Sequence, residues 1–250
     1  SGLSLNSGTG TITTANTDFI AGGNNPSFLS DGGVDWNNLS ASGGTLSLAP
    51  NTADTVLNIG TGGGGYNISD ATLSAISNNF TKVTIGNSTT GDVTIGAGEA
   101  IDLNNGTART WDLEIIGGAN DGSASFIVGS ANSITMDSGQ ALILNTTAAN
   151  ITQTNQILGG GELLLKGTGN VTLANASNQV ATLAASNIGS LSYRDTDAVA
   201  IGTIDGVNGI NIGANALTLQ TGGSITQTQA IIVGGTSSIT TSADDADITL

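Results

Sequence analysis

The sequence contains no cysteine and no histidine. Their absence removes the disulfide framework, the thiol nucleophile, the Ser-His-Asp and Cys-His arrangements and the imidazole ligands of zinc sites. Any catalysis would fall to carboxylates and arginine. Cations are scarce as well: Lys82, Arg109, Lys166 and Arg194 stand against 19 acids, for a formal net charge of −15. Nucleic acid recognition needs clustered Lys and Arg to displace counterions, so no nucleic-acid partner is expected. Such a surface would instead attract cations, calcium included. No apolar run approaches the ~18 residues needed to span a bilayer, which excludes membrane insertion by a helix of this segment. Ser1 opens no signal peptide.

Aromatics make up only 3% of the chain and proline only two residues. The core must therefore be built from Val, Ile, Leu and Ala in thin layers, because large aromatic anchors are too few. Glycine is abundant, at 38 residues. With so little proline, however, the composition fits neither collagen nor polyproline.

What the sequence does have is a triplet with apolar outer members and a small polar centre. It occurs as Leu3-Ser4-Leu5, Leu46-Ser47-Leu48, Val83-Thr84-Ile85, Val93-Thr94-Ile95, Ile101-Asp102-Leu103 and Ile134-Thr135-Met136. It returns as Val171-Thr172-Leu173, Ile210-Asn211-Ile212, Leu217-Thr218-Leu219 and Ile248-Thr249-Leu250. Alternation of this kind gives a short strand with one buried and one wet face. The Gly, Asn, Asp, Ser and Thr between triplets supply turns. The pattern predicts an all-β protein, a single parallel β-solenoid, with the outer triplet residues inward. An antiparallel roll or sandwich is the alternative fold. At ~4.8 Å per pass, ten to twelve passes would make a coil roughly 50 to 55 Å long.

Two departures from this rhythm stand out. Residues 1–65 are the less regular opening, with Gly22-Gly23-Asn24-Asn25-Pro26 and Asp31-Gly32-Gly33 around Phe28 and Leu29; residues 66–250 carry the regular repeats. In residues 70–77 the apolar spacing changes to Leu73 and Ile76, followed by Phe80, with Ser69 or Asp70 as N-cap. That spacing predicts a short helical turn. The clearest internal echo is Ile151-Thr152-Gln153-Thr154, which recurs as Ile225-Thr226-Gln227-Thr228, 74 residues further on. Three passes of about 25 residues would fit that spacing.

The order Tyr66-Asn67-Ile68-Ser69-Asp70, Leu73, Ile76, Val83-Thr84-Ile85-Gly86, Thr90-Gly91-Asp92-Val93-Thr94-Ile95 and Ala100-Ile101-Asp102-Leu103 resembles repeats of filamentous-haemagglutinin-like bacterial exoproteins. So do Gly169-Asn170-Val171-Thr172-Leu173-Ala174 and Ser224-Ile225-Thr226-Gln227-Thr228, and the resemblance covers roughly residues 66 to 250. It implies a right-handed parallel β-helix, secretion to the bacterial cell surface, and a role in adhesion or filament formation. Partners would be further repeats met at the ends of the coil, or glycans and proteins of a host or neighbouring cell. The family's secretion domain carries an NPNG-like motif that nothing here matches, so the piece resembles shaft. The chain is expected to be a segment of a longer protein.

Candidate chemistry is confined to a few places. Arg194-Asp195-Thr196-Asp197 sets two carboxylates beside a cation, and Asp244-Asp245-Ala246-Asp247 packs three acids into four residues. Either could supply the carboxylate pair of a glycosidase. The competing reading makes both of them solvated turns, since turns select Asp for backbone reasons. Calcium has no EF-hand loop or tandem β-roll nonapeptide to bind. Asp244, Asp245 and Asp247 remain candidates for adventitious calcium. Sugar binding would call on Trp36, Trp111, Tyr66 and Tyr193, unless those rings are buried. Ice binding would need one file of Thr, and the centres Thr84, Thr94, Thr135, Thr172 and Thr218 are interrupted by Ser4, Ser47, Asp102 and Asn211. The reading that follows is a structural shaft without catalysis or resident cofactor; a polysaccharide-degrading or glycan-binding β-helix is the alternative.

Overall fold

The computed structural model describes residues 3–14, 19–21, 25–36, 38–41, 43–104, 109–119 and 124–250. Most of Gly22-Gly23-Asn24-Asn25-Pro26, singled out in the opening region, lies outside them. Among the described residues the chain is all-β apart from one five-residue helix, and its strands pair in parallel almost throughout. A first sheet of 13 strands contains an unbroken path of eleven, from Ser4–Asn6 through Lys82–Gly86, Ala141–Thr146 and Gly161–Gly167 to Ile248–Thr249. A second sheet of nine strands runs from Tyr66–Ile68 and Leu57–Gly60 to Ser237–Thr241. A third holds three short strands, Ile101–Asp102, Ile134–Thr135 and Ile157–Leu158. From Lys82 to Leu158 the chain visits first, second and third sheet in turn, three times over.

Register converts the triplets into continuous files. In the first sheet Leu46, Val83, Leu113, Leu142, Leu163 and Leu183 are successive partners. In the second, Leu57, Val93, Phe126, Ile151, Val171, Leu191 and Leu217 follow one another. All of these are buried and join one hydrophobic cluster. Each fully buried aliphatic side chain contributes roughly 1.5 to 3 kcal/mol over its exposed state. The triplets from Leu46 to Leu219 turn their outer members inward as their alternation requires. Leu3 and Leu5 are only partly buried, and Ile248-Thr249-Leu250 is exposed throughout. The closing triplet has no further pass to cover it among the described residues.

The predicted helical turn is present as the helix Asp70–Ser74. Ser69 caps it, its Oγ accepting from Thr72 N at 3.1 Å. Leu73, Ile76 and Phe80 are buried, and the Arg109 guanidinium donates to the carbonyls of Ser74 and Ile76 at the helix's other end. Just before it, Leu57–Gly60 and Tyr66–Ile68 are parallel neighbours joined by a loop with four glycines. The Tyr66–Ile68 strand in turn meets Val34–Trp36. Gly33, at φ +89, lets that approach happen, because a Cβ there would collide with the carbonyl of Asn67.

Pass length is not constant, which corrects the even spacing expected from the echo. Val93 to its partner Phe126 takes 33 residues, whereas Ile151 to Val171 takes 20. The shortening coincides with the end of the third sheet. Beyond Ile157 a side chain takes the strand's place: Ile157 N donates to Asn178 Oδ1 at 2.9 Å. As a result the two ITQT phrases are not equivalent. Ile151–Gln153 lies in the second sheet and Ile225–Gln227 in the first. Both share the alternation of a strand, but the number of residues between them places them on different walls.

One pair among the described strands is antiparallel. Thr203–Ile204 and Val207–Asn208 form a hairpin around Asp205 and Gly206, both at positive φ. This is the geometry that a two-residue Asp-Gly turn favours. The hairpin interrupts a long strand site: Val180–Ser186 pairs with Val199–Ile201 before it and with Ile210–Gly213 after it.

Candidate functional site

The four aromatic candidates for sugar stacking are inside. Trp36 is buried with its Nε1 donating to Thr72 O at 3.0 Å, and Trp111, Tyr66 and Tyr193 are at most 1% exposed. A ring enclosed in the core offers no face to a glycan, so these residues fill the interior. The Tyr66 hydroxyl and Trp111 Nε1 have no hydrogen-bond partner among the described residues. Burial alone pushes the Tyr66 phenol's pKa far up.

Asp195 is not a solvated turn residue, and here the bland reading of the sequence is corrected. It is 2% exposed, and its carboxylate accepts from Tyr193 Oη at 2.5 Å, Val180 N at 2.9 Å and Asp197 N at 2.9 Å. Desolvation raises its pKa, against the opposing pull of those three donors; the charge of Asp197 adds to the rise. Desolvation, then Asp195, likewise raise that of Tyr193. Asp197, two residues on, is exposed, as is Arg194. The two carboxylates therefore do not face one substrate. Asp195 closes a backbone turn and ties the start of the Val180–Ser186 strand to the next pass. Asp197 lines a shallow groove of about 250 Å³ with Gly159, Gly160, Gln179, Val180, Ala181 and Ala198.

Beside this turn lies an amide pair, one member of it buried. Asn178 is fully buried; its Nδ2 donates to Gln153 Oε1, Leu173 O and Arg194 O, while its Oδ1 accepts from Gln153 Nε2 and Ile157 N. A satisfied network of this kind fixes register between passes, since slipping by one residue would orphan every member.

Asp244, Asp245 and Asp247 are exposed, which fits solvated turns. Asp247 N donates to Ser224 Oγ at 3.0 Å, and among the described residues no group of three acidic side chains converges to hold a metal ion. The Thr centres divide among walls: Thr84 is on the first sheet and Thr135 on the third. Thr94, Thr172 and Thr218 share a file of the second sheet with Ile127, Thr152 and Ser192.

The densest cluster of charged groups lies on the outer face of the first sheet. Lys82 Nζ meets Asp205 at 2.5 Å and Glu114 at 3.8 Å, and Lys166 Nζ meets Glu114 at 3.0 Å. Asp112 and Glu162 stand nearby, their pKa values raised by burial foremost. Between these charges the outward residues Ala141, Ile143, Leu164 and Ala184 form a second apolar cluster, covered by Ile204 and Val207 of the hairpin. Two signals in the sequence point here. Ala141-Leu142-Ile143-Leu144 and Leu163-Leu164-Leu165 break the alternation, as strands covered on both faces do. Ile204-Asp205-Gly206-Val207 is a two-residue hairpin signature.

No helix among the described residues is long and apolar enough to cross a membrane. Comparison of the chain with protein-family models, curated proteins and solved structures gives no match.

Proposed function

We propose that this chain is a length of shaft, a right-handed parallel β-helix that serves as a structural element of a secreted or cell-surface, adhesin-like filament and carries out no catalysis. The observation that supports this most is the eleven-strand parallel path of the first sheet. Each pass satisfies its backbone on the passes before and after it, so the fold grows by adding passes without needing a larger core. Unpaired strand edges at the ends of such a stack can template another chain. Self-association through the ends is the partnership this reading expects. A surface poor in Lys and Arg disfavours nucleic acid.

Small-angle scattering and negative-stain microscopy of the purified chain test the reading, together with sedimentation over a range of concentrations. A rod about 50 Å long per copy, lengthening with concentration in steps of one copy, is the expected result. A panel of acidic and neutral glycans tests the rival. Sustained turnover that disappears in Asp197→Asn, the exposed acid of the groove, would replace the shaft with a polysaccharide-degrading enzyme.

A further inference from the structure

The outer face of the first sheet brings together an amine, a carboxamide and a carboxylate. Asn145 and Lys166 are register partners on adjacent strands. Glu114 lies on the strand beyond Asn145, opposite Ile143. To reach it, the Lys166 side chain crosses the strand that carries Asn145. Its Nζ donates to Glu114 Oε1 at 3.0 Å, and Asn145 Nδ2 donates to the same oxygen at 3.1 Å. The two nitrogens are thus no farther apart than those two contacts laid end to end. Glu114 is 7% exposed. Its register partner Ile143, and Leu164 beyond that, are fully buried beneath the hairpin. Lys82, on the other oxygen of Glu114, is engaged by Asp205.

We propose that Lys166 and Asn145 become joined by an intramolecular isopeptide bond, with Glu114 relaying the proton. Glu114 takes a proton from the Lys166 ammonium, and the freed lone pair attacks Asn145 Cγ. The tetrahedral centre collapses with cleavage of the Cγ–Nδ2 bond. Protons from Nζ, one of them passed through Glu114, go to the departing nitrogen, which leaves as ammonium. One C–N bond forms and one breaks, without oxidant or cofactor. Fixed partners substitute for concentration, since well-oriented intramolecular reactions reach effective molarities on the order of 10⁵ to 10⁸ M. The product is a covalent tie between two consecutive passes, whatever larger role the chain serves.

Four cationic residues make the test direct, because trypsin cuts only after Lys82, Arg109, Lys166 and Arg194. The intact mass of the purified chain should fall short of its sequence mass by one ammonia. Digestion under denaturing conditions should leave residues 110–194 as one fragment, since an acylated Lys166 is no longer cut. Glu114→Gln, Lys166→Arg and Asn145→Ala should each restore the full mass expected for that variant, and Glu114→Gln should restore cleavage after Lys166. A wild-type mass equal to the sequence mass, with complete cleavage after Lys166, would leave only an ion pair and a hydrogen bond and sink the proposal. An ammonia lost while Lys166 is still cut would place the loss elsewhere, and also counts against it. Both readouts are taken on unfolded chain, so reduced stability of a variant does not obscure them.

Discussion

Removing one oxygen from Tyr66 and one from Tyr193 should shift stability in opposite directions. Tyr66 Oη is buried and has no partner among the described residues, while Tyr193 Oη donates to the buried carboxylate of Asp195. Tyr66→Phe leaves the ring in place and relieves a desolvated hydroxyl, a gain of about 1 to 3 kcal/mol. Tyr193→Phe also keeps the ring but strips a charge-assisted bond, at a cost of about 1.5 to 3 kcal/mol. Asp195 would then rest on the amides of Val180 and Asp197 alone. Urea unfolding at neutral pH reads both changes as midpoint shifts at constant slope. Amide hydrogen exchange locates them, in Tyr66–Ile68 for one variant and Leu191–Arg194 for the other. Midpoints that move the same way, or a Tyr66→Phe variant less stable than wild type, would refute the assignment of one satisfied and one orphaned hydroxyl.

Three further outcomes are expected. Leu173→Ala, which empties a fully buried position, should cost about 2 to 5 kcal/mol, while Asp244→Asn at an exposed turn should shift the unfolding midpoint negligibly; the reverse ranking would make the acidic turn a structural site. Burial holds the pKa values of Asp70, Asp112, Glu162 and Asp195 above their ordinary values, so the folded chain binds their protons more tightly than the unfolded one. Their stabilisation is complete below the unfolded values and is lost as pH rises through the folded ones, so Tm at about pH 4 should exceed Tm at about pH 7, with a smaller difference in Asp195→Asn; a Tm that falls steadily on acidification contradicts this. Ile204→Asp should release the hairpin from Ile143 and Leu164, seen as faster exchange at residues 203–208 and new binding of a hydrophobic dye, with the strands of the second sheet unaffected.

Sequence alone determined which side chains of most strands point inward, because the two-residue alternation of a strand is a local property of its backbone. It also placed the helix after Ser69, where an N-cap oxygen and the Leu73–Ile76 spacing act within a single turn. Which wall a strand joins was decided only in three dimensions, by the number of residues in each pass and by pairing across as many as 37 positions. That is why identical ITQT phrases lie on different sheets. The same distance from local pattern explains Asp195, whose turn chemistry was legible but whose carboxylate is held by Val180 of a neighbouring strand. The triplets make the division plain. Val171-Thr172-Leu173 and Ile248-Thr249-Leu250 share one alternation, yet the first has buried outer residues and the second is exposed. Alternation assigns a face to each side chain, but burial comes from the pass stacked against it.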